Sequence, residues 1–282
     1  MDTLSKDLDR LNLQAPKVVA FDPSTSKHNW NFDLDPIPRY LFRVYDQNSP
    51  GLSDGDWVKS KDLVQGAPEA GVDVFCRDDR TELAHQIWGH LMWKGLKNDN
   101  LMSWTSSLLF VIQYIFYRYN RQSERPTYNS IKLCVLDTQG LPQGAFIRDL
   151  NLIGAFAPFD RRLQQVHDLR SGPHYFGEYL SQGALRVQGH NTIVSAHDLI
   201  DRGVLSLRPE FENNFNNPHC GWAKDVVAMY KILEQDLSRP KPCHAPSTVR
   251  QAIDIASLLE GDFRVHVARK NFAEQRYADA KV

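Results

Sequence analysis

The chain lacks a long hydrophobic run, has few cysteines and carries almost no surplus of charge, and each shortage removes a class of function. Although 42% of its 282 residues are hydrophobic, no stretch stays apolar for the roughly 20 residues a membrane-spanning helix needs, so a globular protein off the bilayer is expected. Residues 1–13 alternate charged and apolar side chains without an apolar signal-peptide core, so secretion is not indicated. The four cysteines, Cys76, Cys134, Cys220 and Cys243, show no metal-ligand spacing and fit a reducing, cytoplasmic setting better than a disulfide framework. A formal net charge of -1 gives no overall pull on nucleic acid and leaves only local basic patches to consider. There is no Gly-rich phosphate loop of the P-loop kind and no internal repeat. No metal is expected, because His85 and His90 lie five apart and do not share a helical face; both read as structural.

What is present is a succession of short regular segments. Residues 1–38 combine a short amphipathic helix with a connector rich in Pro, Ser and Asn, and read as an appendage. The regular part opens at Tyr40-Leu41-Phe42-Arg43-Val44-Tyr45, a compact strand stopped by turn formers between Asp46 and Gly51. A polar loop leads to residues 72–76, a helix is expected over 81–96, and a turn follows at Lys97-Asn98-Asp99-Asn100. Next, the hydroxyl-rich run Ser103-Trp104-Thr105-Ser106-Ser107 precedes residues 108–117, apolar nearly all round, which predict a buried central helix capped by one of those hydroxyls. Residues 131–137 predict a second strand, Asp149 and Asp160 suit the starts of short helices, and a further strand is expected around Thr192-Ile193-Val194 before a helix capped by Ser195. Helical spacing returns over 221–237 and 248–259, on either side of a Pro-rich link. Strands and helices without regular alternation predict an α+β fold, divided into an N-terminal appendage (1–38), a catalytic core (39–210) and a C-terminal helical extension (211–282).

The densest chemical signal is Asp78-Asp79-Arg80-Thr81-Glu82, three carboxylates within five residues where a loop becomes a helix. Paired carboxylate oxygens match a planar guanidinium through parallel charge-assisted hydrogen bonds, so such a cluster can read an arginine-like group and move a proton. Asp79 with Glu82 three residues on is also an ordinary N-cap and its reciprocal partner, a reading that leaves only Asp78 unexplained.

Two family resemblances follow from these pieces. Asp78, Asp79 and Glu82 match at every fixed position the Asp-Asp-x-x-Glu landmark of the fungal arginine-containing cyclodipeptide synthases, which the chain resembles. That resemblance implies a secondary-metabolism transferase that takes an arginyl group from its aminoacyl-tRNA, condenses it with a second amino acid and closes a diketopiperazine ring. Because the ester of Arg-tRNA is already activated, no cofactor is implied. The second resemblance, looser and covering about residues 40–207, is to ADP-ribosyltransferases. Its landmarks are Arg43 in the first strand, the hydroxyls Ser103, Thr105, Ser106 and Ser107, and Glu178 five residues before Gly183. It implies a mixed-sheet core with flanking helices in which the arginine and hydroxyls hold NAD and the glutamate supports departure of nicotinamide. Two departures are visible: Ser-Trp-Thr-Ser replaces the Ser-Thr-Ser run, and Phe176 stands where many members carry an acid or Gln. A pocket built for an adenosine-bearing ligand, turned toward the aminoacylated end of a tRNA, would reconcile the two.

The expected site is therefore Asp78, Asp79, Glu82 and Glu178 for chemistry, with Arg43, Ser103, Thr105, Ser106 and Ser107 for binding. An NAD-using ADP-ribosyltransferase or NAD glycohydrolase is the alternative, and a non-catalytic interaction domain the third reading. Each residue also has an ordinary role: Arg43 and Glu178 as surface or paired charges, the hydroxyls as turn and cap residues, and Tyr114, Phe116 and Tyr117 as core. For tRNA contact the candidates are Arg118, Arg121, Arg125 and Lys132 and, near the C-terminus, Arg264, Arg269, Lys270 and Arg276, all equally readable as solvated faces.

Overall fold

The computed structural model describes residues 17–28, 30, 34–95, 97–121, 126–237 and 246–259. The helix expected within residues 1–13 and most of the Pro-rich link lie outside the described residues. Among the described residues, β1 (Tyr40–Tyr45), β4 (Leu101–Thr105), β5 (Lys132–Asp137), β6 (Ile147–Arg148), β7 (Glu178–Gln182) and β9 (Asn191–Ser195) form a six-stranded antiparallel sheet in the order β6-β7-β4-β1-β5-β9. A smaller sheet joins β2 (Leu52–Ser53), β3 (Trp57–Lys59) and β8 (Ala184–Arg186) in that order. The helices are α1 (Lys61–Val64), α2 (Arg80–Leu91), α3 (Leu108–Arg121), α4 (Asp149–Phe156), α5 (Arg161–Arg170), α6 (Ala196–Asp201), α7 (Pro209–Phe215), α8 (Lys224–Leu237) and α9 (Pro246–Ala256). The fold is α+β, as the irregular alternation of elements implied.

Caps set the helix starts. Asp79 accepts from the Glu82 amide at 2.9 Å to open α2, Ser107 Oγ accepts from the Phe110 amide at 3.1 Å to open α3, and Ser195 with Asp198 forms a reciprocal capping box on α6. The hydroxyl expected to cap the apolar helix is thus Ser107.

Strand alternation sorts the core into layers. Phe42 pairs with Val135 and Val44 with Leu133, so these side chains share a face, and they pack with residues of α3 and α6 to α9. Toward the other edge of that same face, Leu101, Ile147 and Leu180 pack with α2, α4 and α5. The opposite face carries Leu41, Met102, Trp104, Cys134 and Leu136, covered by Val58 and Leu185 of the small sheet. Each large apolar side chain buried this way contributes about 1.5–3 kcal/mol. Because Phe42 pairs with Thr105, Thr105 with Glu178 and Ser103 with Leu180, the side chains of Ser103, Thr105 and Glu178 come up on the helical face, at the seam between its two clusters.

Two segments differ from expectation. Residues 101–105, read as a hydroxyl-rich lead into a helix, and residues 178–182, singled out only for Glu178, are themselves central strands, stabilised by pairing with each other. The appendage and the C-terminal extension both reach the core: Phe21 is buried beside Val74 and Phe75 and its amide donates to the Gly144 carbonyl at 2.7 Å, while Val226, Met229 and Ile255 are buried in the cluster under β1 and β5.

Candidate functional site

The most chemically pointed arrangement on the helical face joins three elements. Ser103 lies mid-strand in β4, and its Oγ is 2.8 Å from Nε2 of His90 in the last turn of α2. The other ring nitrogen of His90, Nδ1, is 2.9 Å from both carboxylate oxygens of Asp99, which also accepts from the Leu101 amide. The side chains of His90 and Asp99 are 10% and 21% exposed, so the chain of bonds is sheltered but open at one side. Burial alone would raise the Asp99 carboxyl, yet His90 and the Leu101 amide hold it below its ordinary range. An ionised Asp99 fixes the imidazole proton on Nδ1 and turns the lone pair of Nε2 toward the Ser103 hydroxyl.

Glu178 begins β7 opposite Thr105, diagonal to Ser103, a spacing of about 7–8 Å in an antiparallel pair. Its carboxylate meets Arg170 Nη1 at 2.6 Å, and the same nitrogen also pairs with the buried Asp149. A buried and a part-buried carboxylate thus share one guanidinium. Burial, helped by Asp149 and opposed by Arg170, pushes the Glu178 carboxyl up to about 7. A carboxyl poised near neutrality can donate or accept a proton at working pH.

The remaining hydroxyls hold the backbone around this pair. Thr105 Oγ1 donates to the Phe176 carbonyl at 2.6 Å and accepts from the Ser107 amide. Ser107 adds a 2.5 Å hydrogen bond with the Tyr230 hydroxyl to its capping role. The Ser106 amide donates to the Gly177 carbonyl, and Gly177 has φ +64 with a Cβ position only 2.1 Å from Ser106 Oγ, so that approach requires glycine. Together they fix the loop that delivers Glu178. Ser103 differs from them in facing a histidine.

Arg43 leaves the other face of the sheet, beside Trp104. Its Nη1 donates to the Ser103 carbonyl at 2.9 Å and its Nε to Ser53 Oγ at 3.3 Å. Among the described residues no carboxylate stands within ion-pair reach of it, and burial lowers its pKa. It therefore pins the main chain at Ser103 from below.

The acidic trio occupies the far end of α2 and is exposed: Asp78 meets Lys27 at 3.2 Å, Asp79 caps the helix, and Glu82 accepts from Gln86 at 3.0 Å. Glu82, Gln86 and His90 repeat every four residues and share one helical stripe, so Glu82 and His90 are about 12 Å apart along the axis. Beside that stripe is a small hollow lined by Val74, Gln86, Asn98, Asp99 and Asn100. The structure thus brings Ser103, Thr105 and Glu178 together, puts Arg43 behind them, and sets Asp78, Asp79 and Glu82 one helix length away.

Four residues were missed by sequence reasoning: His90, Asp99, Arg170 and Asp149. His85 does behave structurally, stacking on Trp88 at 5.6 Å beside Arg162, but His90 does not share that role alone. The available signal was the i, i+4, i+8 stripe from Glu82. Of the basic residues considered for tRNA, Arg118 is buried and paired with Asp46 at 2.8 Å, which removes it from a phosphate-binding surface. The side chain of Arg121 and residues Arg125, Arg264, Arg269, Lys270 and Arg276 lie outside the described residues.

A family model described as "Domain of unknown function (DUF7587)" matches residues 36–202. The chain belongs to the DUF7587 family. No curated protein and no solved structure matches it. The DUF7587 segment carries all nine described strands and Ser103, His90, Asp99, Glu178, Arg170 and Asp149, whereas α7, α8 with Tyr230, and α9 lie beyond it. Within the DUF7587 segment no described helix is long and apolar enough to cross a membrane.

Proposed function

We propose that the chain is an aminoacyl-transfer enzyme of the cyclodipeptide synthase type, condensing an arginyl group from Arg-tRNA with a second amino acid into a diketopiperazine on an ADP-ribosyltransferase-like scaffold. The observation that carries the reading is the convergence, on one sheet face, of a histidine-bonded serine with a part-buried carboxyl that shares Arg170 with Asp149 and is pushed up to about 7. Aminoacyl transfer needs such groups. The ring has two amide bonds, so two such transfers are needed and the second amino acid must also arrive as an ester. In each, the attacking amine forms a C–N bond to an ester carbon, the C–O bond from that carbon to the ribose breaks, and the proton lost by the amine must reach the departing ribose oxygen. The ester is activated beforehand, so no nucleotide triphosphate site is required. At the N-terminal end of α2, Asp78, Asp79 and Glu82 supply exposed negative charge suited to a guanidinium or amine.

The alternative, an NAD-using ADP-ribosyltransferase or NAD glycohydrolase, requires Arg43 and Glu178 to grip one ligand. They leave opposite faces of the sheet, which ranks it second. A silent interaction domain ranks third, since it gives no use for a sheltered Ser-His-Asp array. Purified protein incubated with charged tRNA is expected to release a diketopiperazine detectable by mass spectrometry, and ribonuclease pretreatment to abolish it. Product that survives ribonuclease argues against the tRNA route, and calorimetric binding of NAD without any product favours the alternative.

A further inference from the structure

We propose that Ser103 is a covalent nucleophile that carries the acyl group as an ester, with His90 as its base and Asp99 as the residue that positions His90. The proposal rests on the aminoacyl-transfer reading for the identity of the acyl donor, but its geometry stands alone. Ser103 Oγ is 2.8 Å from Nε2 of His90, and Nδ1 of the same ring is 2.9 Å from Asp99. These are the contacts by which a hydroxyl is made nucleophilic: a base within hydrogen-bond reach and a third group that orients the base. Thr105 and Ser107, the neighbouring hydroxyls, are engaged with backbone and capping partners. The strand presenting Ser103 is held on both sides, by β7 through pairing with Leu180 and by Arg43 through the Ser103 carbonyl. A rigid strand, not a loop, therefore sets the attack direction.

The step balances without a co-reactant. Ser103 Oγ forms a bond to the carbonyl carbon of the donor ester as its proton passes to Nε2; the bond from that carbon to the donor oxygen then breaks, and the departing oxygen takes the proton from Nε2. One ester is exchanged for another. In the second half an amine attacks the seryl ester, the C–N bond forms, the Oγ–C bond breaks, and the amine proton returns through Nε2 to Oγ.

The full-length protein is mixed with Arg-tRNA labelled in the arginyl group and, separately, with the p-nitrophenyl ester of arginine, then quenched in acid and mapped by mass spectrometry. Expected is one arginyl adduct on Ser103, labile to hydroxylamine, together with a nitrophenolate burst. Ser103→Ala removes both while keeping the thermal midpoint close to wild type, and Ser103→Cys retains the label as a thioester. Asp99→Asn slows the burst by about 10³–10⁴-fold and alters its pH profile, while Asp99→Glu restores part of the rate, a pattern that a merely structural carboxylate would not give. The assignment is overturned if neither donor labels Ser103, if another residue carries the label, or if Ser103→Ala forms product at the wild-type rate. If the nitrophenyl ester labels Ser103 but charged tRNA gives no diketopiperazine, the covalent serine stands and the synthase reading falls.

Discussion

Glu178 shows how a single part-buried acid can report on a whole site. Its carboxyl is pushed up to about 7 from an ordinary value of 4.5, with burial as the leading cause. The folded state therefore binds this proton more tightly than the unfolded state does. The associated stability is fully present below about pH 4.5 and is lost as pH rises toward 7. Glu178→Gln removes that titration. Urea unfolding between about pH 4 and pH 8 is expected to show the wild type losing stability relative to the variant across this window. The slope is diagnostic, because the absolute difference also contains the lost contact to Arg170. Product formation is expected to lose its limb near pH 7 in the same variant. A pH-independent difference in stability would mean that Glu178 stays ionised throughout and serves only to hold Arg170.

At the scale of elements, α2 is the component that links the two halves of the proposed chemistry, since its first turn carries the acids and its last turn carries His90. The helix ends in a Schellman motif, with the Lys94 amide donating to the Gly89 carbonyl and the Trp93 amide to that of His90. The left-handed position usually given to glycine is held by Trp93, at φ 52, whose ring packs 4.7 Å from Trp222 and 5.4 Å from Tyr114. Aromatic contacts to α3 and to the segment before α8 thus offset a backbone preference and lock the turn that holds His90. The acids at the other end can be separated by role. Asp79→Ala removes the cap and is expected to cost about 1 kcal/mol, whereas Asp78→Asn, exposed and bonded only across a surface ion pair, should stay within about 0.5 kcal/mol of wild type. If Asp78→Asn and Glu82→Gln abolish product in the charged-tRNA assay without moving the thermal midpoint, the acids act on substrate; retained product would leave them as helix furniture. Element by element, β1, β5 and the capped helices were legible because their signals are local: alternation, a hydroxyl or acid at the N-cap, an apolar stripe. β4 and β7 were not, since Ser, Trp, Thr and Gln gain strand character only from their pairing partners. The same reason hid half of the site. Ser103 and Glu178 could be picked out as residue types in suggestive places, but the meeting of His90 with Ser103 depends on how α2 folds back over a strand that the local pattern did not reveal.

For the whole molecule, the helices beyond the matched family segment decide whether that segment can fold alone. Residues 36–202 contain both sheets, yet the cluster beneath β1 and β5 is completed by Phe211 of α7, Val226 and Met229 of α8 and Ile255 and Ala256 of α9. The apolar walls that meet there, Leu108, Ile112, Leu133 and Val135 from the segment and Ile255 and Leu259 from outside it, enclose one shared space. At the other edge of the same face Phe21, also outside the segment, fills the core against Phe75. At about 1.5–3 kcal/mol for each fully buried large side chain, removing Phe21, Phe211, Val226, Met229 and Ile255 forfeits an amount comparable to the roughly 5–15 kcal/mol by which domains are stable at all. A fragment of residues 36–202 is therefore expected to lack a cooperative urea transition and to expose apolar surface, while residues 17–259 unfold cooperatively. Native-like melting of the shorter fragment would show that the terminal segments merely decorate a self-sufficient core. Loss of melting in the fragment would also place a functional limit on the site, because Tyr230 of α8 bonds Ser107 at the start of α3 and Trp222 packs on Trp93 behind His90. The geometry at Ser103 would then depend on residues more than a hundred positions downstream.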